Sequence, residues 1–160
     1  MERKTKVNAE EGKHDLVITR EFDLPVKLLF RAYIDPEIFA QWMGTKVLKF
    51  DSRKHGSYQF ETSDPQGNVA FLASGVIHEL IPDRKIIRTF EMEKMSFGVQ
   101  LEVLDFERLS DDTSRLVMHV VYESVGQRDQ VLQLPFAYGV NMAHDRLQAT
   151  VDRLRVSGIK

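Results

Sequence analysis

The sequence contains no cysteine, no long apolar run and no excess of either charge. The absence of thiols excludes disulfides, thiolate metal ligands and a cysteine nucleophile. The 22 Lys and Arg residues nearly balance the 24 Asp and Glu residues, giving a net charge of −2. This balance argues against a dedicated nucleic-acid binder, which should present a clustered basic face. No stretch approaches the ~18 consecutive apolar residues of a membrane span, so none is predicted.

The first 13 residues are rich in charge and poor in apolar side chains, which is typical of a mobile N-terminal lead-in. They lack the apolar core of a signal peptide, so we expect a cytoplasmic location. Residues 14–160 are expected to form a single domain, because a chain of this length can bury a core without disulfides.

What the sequence does contain is a long amphipathic segment near its C-terminus. Placed on a helix, its apolar side chains fall within an arc of about 100°, with polar side chains from Asn141 to Asp152 opposite. Ser124 opens a capping box upstream, and Pro135 predicts a kink between a short helix and this main helix. The apolar stripe comprises Phe136, Val140, Ala143, Leu147, Thr150, Val151 and Leu154.

The residues ahead of this helix predict a sheet. A strand is expected at 15–22, two short helices begin near Pro25 and Pro36, and five or six antiparallel strands follow up to residue 122. This order differs from the strand–helix alternation of a parallel sheet. It predicts an α+β domain in which a curved antiparallel sheet wraps around the long C-terminal helix.

Three details of the sheet follow from the same patterns. In the longest alternating run, 97–109, the apolar residues at 97, 99, 101 and 103 are assigned to one face. A bulge or bend is expected at Gly75, which interrupts a long strand. Glu79 and Arg88 are expected to pair across the ladder, as a structural contact.

Short motifs, in a particular order and spacing, carry a resemblance to a known superfamily. They cover roughly residues 15–155 and resemble the START-like superfamily called SRPBCC and, within it, homologues of the activator of heat shock protein 90 ATPase (the AHSA1-like family). The resemblance implies the helix-grip fold, also called START-like or Bet v 1-like. The motifs are ITREFDLP at 18–25, FRAY at 30–33 with DP at 35–36, QW at 41–42, Gly75 with ELIP at 79–82, and Gly139 with DRL at 145–147.

The sequence departs from the family pattern at two places. Lys54-His55-Gly56 stands where a Pro-Gly-Gly turn is usual, and Val140 stands where an aromatic residue often follows the helix glycine. The smaller side chain at 140 predicts more space beside the helix.

The resemblance implies a cavity between the sheet and the C-terminal helix. Superfamily members include lipid carriers, polyketide cyclases, plant-hormone receptors and co-chaperones. Our leading hypothesis is a domain that binds a small apolar molecule, of lipid or polycyclic type, in that cavity. A co-chaperone-like module with a protein partner, and a cyclase-like or hydrolase-like enzyme, are the alternatives.

Eight residues are candidates for binding the ligand, and the competing interpretation is that they only fill the core. No phosphate loop, nucleophile elbow or zinc motif is visible, so no catalytic residue, metal or cofactor is predicted. The histidines at 14, 55, 78, 119 and 144 are interpreted as surface or hydrogen-bonded structural residues. Monomer and homodimer both remain open. The candidates are Trp42, Tyr58, Phe60, Phe97, Leu101, Met118, Phe136 and Val140.

Overall fold

The structure, a computed structural model, describes residues 3–159, within which the chain forms one eight-stranded sheet and four helices. Residues 1, 2 and 160 lie outside the described residues, so the expectations for 1–13 and 14–160 can be followed only within that range. The strands are β1 Lys6–Asn8, β2 Asp15–Phe22, β3 Lys46–Phe50, β4 Ser57–Ser63, β5 Val69–Ile81, β6 Lys85–Glu93, β7 Val99–Arg108 and β8 Ser114–Val121. The helices are α1 Val26–Ile34, α2 Pro36–Met43, α3 Val125–Leu132 and α4 Phe136–Val156.

All strand pairs are antiparallel, and the strand order is β1-β2-β8-β7-β6-β5-β4-β3. Burial alternates along the strands, as it does in β2, where every second side chain from Leu16 to Phe22 is buried. The buried side chains share the inner face of a curved sheet, toward which the helices pack. The predicted α+β helix-grip fold is confirmed.

The helices α1 and α2 form where the local sequence favours helix starts and stops. Asp35 caps α2, since its side chain accepts hydrogen bonds from the backbone N–H groups of Glu37 (3.0 Å) and Ile38 (3.5 Å). Gly44 ends α2 in the left-handed region, with φ of 64°. Because α1 packs against β7 and β8, and α2 packs against α4, the two helices cover one end of the inner sheet face.

The long helix α4 has the phase that the sequence predicts. Leu147 is fully buried, and Pro135 separates α4 from the short helix α3 as expected. The polar side of α4 is not free, however. Asn141 and Asp145 both accept hydrogen bonds from the buried side chain of Arg20, at 3.1 and 2.9 Å. The helix is therefore fastened to β2 by polar contacts as well as by its apolar stripe.

The N-terminal segment differs from the expectation of a mobile lead-in. Lys6–Asn8 is a strand that pairs with residues 17–19 of β2 and forms one edge of the sheet. The Thr5 hydroxyl lies 2.6 Å from Nδ1 of His144, and the Thr5 N–H donates to Asn141 at 2.9 Å. Local composition missed this strand because its partners are supplied by β2 and α4, which are distant in sequence.

The central strand β7 faces the opposite way from the prediction. Glu102, Leu104 and Phe106 point inward and are buried, whereas Leu101 lies on the outer face and is 41% exposed. Phe97 precedes the strand and approaches the interior from a loop. Residues 99, 101 and 103 share one face as predicted, but it is the outer face, so the placement of Leu101 on the cavity wall is wrong. Apolar residues occur on both faces of β7, since protein surfaces keep many apolar atoms, so alternation alone did not determine the phase.

The long strand β5 is also irregular at a different place from the one predicted. Its register shifts between Ile77 and Glu79, and not at Gly75. Gly75 instead permits a close approach of chains, since a Cβ there would lie 2.0 Å from the backbone oxygen of Thr89 and 2.6 Å from the Tyr58 hydroxyl. The bulge therefore lies between Ile77 and Glu79 and not at Gly75, where a bend stays a prediction.

Candidate functional site

A cavity of about 260 Å³ lies between the inner sheet face and α4. Its wall is mainly apolar and aromatic, and it includes Phe90 on β6, Met118 on β8 and Ala143 on α4. At one end it is bounded by Leu134, between α3 and α4, which is exposed, and by Gly98, before β7, which is half-buried. The cavity therefore reaches the surface between the α3–α4 corner and the β6–β7 loop.

The hollow exists because the helices cover the inner face unevenly. On β7 and β8, Leu104 and Leu116 are fully buried beneath α1. Farther along the same strands, Gln100 and Met118 also point inward but remain partly exposed. Their exposed surface faces the cavity, because α4 spans this end of the sheet without filling the space below it.

The structure places seven of the eight candidate residues on the cavity wall. The exception is Leu101, which lies on the outer face of β7 and cannot contribute to this site. Binding of a ligand by the other seven stays a prediction. The seven are Trp42, Tyr58, Phe60, Phe97, Met118, Phe136 and Val140.

A buried ion pair, which the sequence reasoning missed, forms part of the wall. Arg88 Nε donates a hydrogen bond to Glu102 Oε1 at 2.8 Å, and the Gln100 side-chain amide donates to Glu102 Oε2 at 2.7 Å. The expected Glu79–Arg88 pair is wrong, because Ile77 lies opposite Arg88 and Glu79 lies opposite Ile87. Arg88 and Glu102 face each other directly across β6 and β7.

Two tyrosines enclose the guanidinium group of this pair. The Arg88 carbon Cζ lies 5.8 Å from the ring centroid of Tyr33 and 5.7 Å from that of Tyr58, within reach of cation–π attraction. Burial raises the pKa of both phenols, although the nearby Arg88 opposes the shift. Burial alone would lower the pKa of Arg88, but Glu102 and the two tyrosines raise it above its ordinary value. Arg88 is therefore charged and the phenols are neutral at neutral pH.

Not every polar atom in this group has a protein partner. Among residues 3–159, the Arg88 guanidinium donates only through Nε, and the Tyr33 hydroxyl makes no hydrogen bond. Neither residue has a fully enclosed polar atom without a partner; within the described chain only the Tyr122 hydroxyl does. Since Arg88 and Tyr33 both line the cavity, their unpaired donors have access to it.

His144 brings a neutral imidazole to the same cavity from α4. Its Nδ1 contacts the Thr5 hydroxyl at 2.6 Å, and its ring lies edge-on to Phe22 with centroids 5.5 Å apart. Burial, together with the positive charge of Arg20, lowers the pKa of His144 to about 3. His119 has a different setting, 2.7 Å from Asp15 on the outer face. Both are hydrogen-bonded histidines, as the sequence predicts.

Within residues 3–159, no group of three or more His, Asp or Glu side chains is arranged to hold a metal ion. No helix in that part of the chain is both long and apolar enough to cross a membrane.

Comparison with known proteins places this chain in a family. The family model described as Activator of Hsp90 ATPase homolog 1-like protein matches residues 23–152. The chain belongs to this family. No curated protein matches it.

Solved structures share the fold of this family member at low identity. A Rhodobacter sphaeroides protein has a TM-score of 0.82 and 19% identity over 95% of this chain and 99% of its own. An Arthrobacter aurescens protein has a TM-score of 0.81 and 16% identity over 92% and 91% of the two chains. A Mycobacterium smegmatis protein has a TM-score of 0.80 and 22% identity over 91% and 95%. Likeness at this level of identity establishes the fold alone.

Proposed function

We propose that this domain binds a small, mainly apolar molecule in the cavity between the sheet and α4. The observation that carries the proposal is the hollow of about 260 Å³, with an apolar wall and access to the surface. Binding sites for small molecules usually combine such a wall with a few placed polar groups. The paired Arg88 and Glu102 side chains provide polar groups of this kind.

The size of the cavity restricts the ligand. An engineered apolar cavity of about 150 Å³ holds benzene, so this one suits roughly one or two fused rings or a short chain. Of the lipid and polycyclic molecules considered from the sequence, the smaller ring compounds fit best. Each 100 Å² of apolar ligand surface removed from water contributes about 2.5 kcal/mol, before the entropic cost of association is subtracted.

The side chains in the wall favour binding over acid–base catalysis. A general acid or base works best when its pKa lies near the working pH. Burial instead lowers the pKa of His144 to about 3 and raises that of Tyr33, so both stay neutral across the physiological range. These groups suit hydrogen bonding to a ligand better than proton transfer.

The family description names an activator of the Hsp90 ATPase, and that activity belongs to the protein for which the family is named. A module that acts only through its surface needs no hollow interior. The cavity therefore favours ligand binding as the function of this chain, and the cytoplasmic location stays a prediction from the sequence.

Met118→Trp tests the proposal, because Met118 faces the cavity on β8. If the space is hollow, the larger ring fills it without strain, so stability holds and a fluorescent apolar probe no longer binds. Leu116→Trp is the matched control on the same strand, at a fully buried position, and should cost about 1–3 kcal/mol or more through overpacking. Destabilisation by Met118→Trp, with no probe binding by the parent, would show that the interior is already filled.

A further inference from the structure

The inner end of the cavity is polar, in contrast to its mouth. Arg88 and Glu102 lie on the central strands β6 and β7, next to Tyr33 of α1, which is 3% exposed. The mouth, by contrast, is bounded by apolar side chains such as Phe97 and Leu134. A molecule that enters through the mouth therefore meets the ion pair last.

The polar end has unused hydrogen-bond donors. Within the described chain, Arg88 bonds to protein only through Nε, which leaves the N–H groups of both terminal nitrogens available. The Tyr33 hydroxyl is likewise unpaired within residues 3–159 and lines the same space. Because Arg88 and Tyr33 line the cavity and these donors have no acceptor in the described part of the protein, a ligand oxygen bound at this end can accept hydrogen bonds from them.

The charge at this end favours an uncharged oxygen. The Arg88 guanidinium is already neutralised by Glu102 at 2.8 Å. A carboxylate ligand would lose its hydration and would also lie close to the Glu102 carboxylate, where a low dielectric strengthens repulsion. A hydroxyl or carbonyl group could accept from Arg88 without either penalty.

We propose, resting on the proposed function above, that the ligand is a one-ring or two-ring molecule whose single neutral hydroxyl or carbonyl oxygen binds the free donors of Arg88 and Tyr33. The ion pair then determines the selectivity of the site: a ligand with a neutral polar end binds more tightly than one with an anionic end. The apolar wall holds the rings, and the polar end sets their orientation.

Three probes of similar size test the selection: naphthalene, 2-naphthol and 2-naphthoate, titrated against the intact protein at pH 7 by calorimetry. A hydrogen bond to a charged donor predicts that 2-naphthol binds about tenfold more tightly than naphthalene. The anion 2-naphthoate should bind more weakly than either.

The variant Arg88→Met/Glu102→Leu removes both charges together, which avoids leaving one of them buried and unpaired. It should bind naphthalene at least as tightly as the parent and lose the preference for 2-naphthol. The matched control is Lys85→Met/Asp105→Leu, which removes an ion pair on the same two strands at the outer face, 3.4 Å apart, and should keep the preference.

The outcomes separate the two proposals. Equal affinities for naphthalene and 2-naphthol in the parent would overturn the selection by Arg88 while leaving the binding function intact. Tightest binding of 2-naphthoate would also overturn it, because an anion site would be indicated. Failure of all three probes to bind would contradict the proposed function itself. If the double variant does not fold, the ranking of the three probes by the parent decides the question.

Discussion

The two ends of the inner sheet face are built from the same strands but are covered differently. Beneath α1, Leu104, Phe106 and Leu116 are buried with 0–5% exposure. Toward the mouth, Met118 and Gln100 continue the same inward pattern, yet they border a cavity. The comparison shows that strand pattern alone does not decide whether an inward side chain is packed or lines a site. The covering helix decides it.

The largest contrast should come from truncations two residues apart on β8. Leu116→Ala should cost about 2–5 kcal/mol, because it removes apolar contacts and leaves a void in a packed region. Met118→Ala should cost about 1 kcal/mol, since part of its surface already faces empty space. Urea unfolding at 25 °C measures both values. Equal costs would remove the distinction between a packed and a hollow end.

A pH titration of stability should show the burial of His144 on the cavity wall. Its pKa falls from an ordinary 6.5 to about 3, so between these values the unfolded chain binds a proton that the folded chain does not. The contribution of His144 to the free energy of unfolding should therefore be fully present above about pH 6.5 and should decrease as the pH falls toward 3. The expected loss between pH 7 and pH 5 is about 2 kcal/mol from this group alone.

The control for the pH experiment is His144→Gln, which cannot be protonated in this range. The difference in unfolding free energy between pH 7 and pH 5 should be about 2 kcal/mol smaller in the variant than in the parent. An identical pH dependence in the two proteins would mean that His144 is accessible to water and not buried as described.

A smaller effect is expected from the edge strand β1, which packs against a separate apolar cluster. Val7 lies opposite Ile18 and packs against the cluster that contains it, and Thr5 contacts His144. Deleting residues 1–13 should therefore cost about 1–2 kcal/mol through lost strand pairing and apolar contact. The measurement is denaturant unfolding of the shortened chain. A change under about 0.5 kcal/mol would restore the view of this segment as a free lead-in.

Much of the fold could be predicted because its signals are local. The apolar stripe of α4 follows helical spacing, and Leu147 is fully buried where that spacing places it. Asp35 and Ser124 cap α2 and α3 as their side chains suggest, and Pro135 separates α3 from α4. The β1 strand was missed because its stability depends on distant partners.

The cavity could be predicted only in part, because the phase of β7 was ambiguous. Seven of the predicted residues line the cavity. Leu101 does not, because the apolar residues 99, 101 and 103 lie on the outer face of β7. A usable signal was present in the β6–β7 hairpin. The register that pairs Lys85 with Asp105 also pairs Arg88 with Glu102, so two opposite-charge pairs favour the same alignment. The Arg88–Glu102 pair would then have been found.

The most direct test of a ligand-binding cavity is a titration of protein carrying ¹³C-labelled methionine methyl groups with 2-naphthol, followed by NMR. Met43, Met92 and Met118 line the cavity, whereas Met95 and Met142 are exposed at 48% and 38% and lie outside its wall. Ring currents from a bound probe should shift the methyl signals of the first three residues in a saturable way and leave the other two in place. Saturable shifts confined to Met95 and Met142, or no shifts at all, would contradict the account.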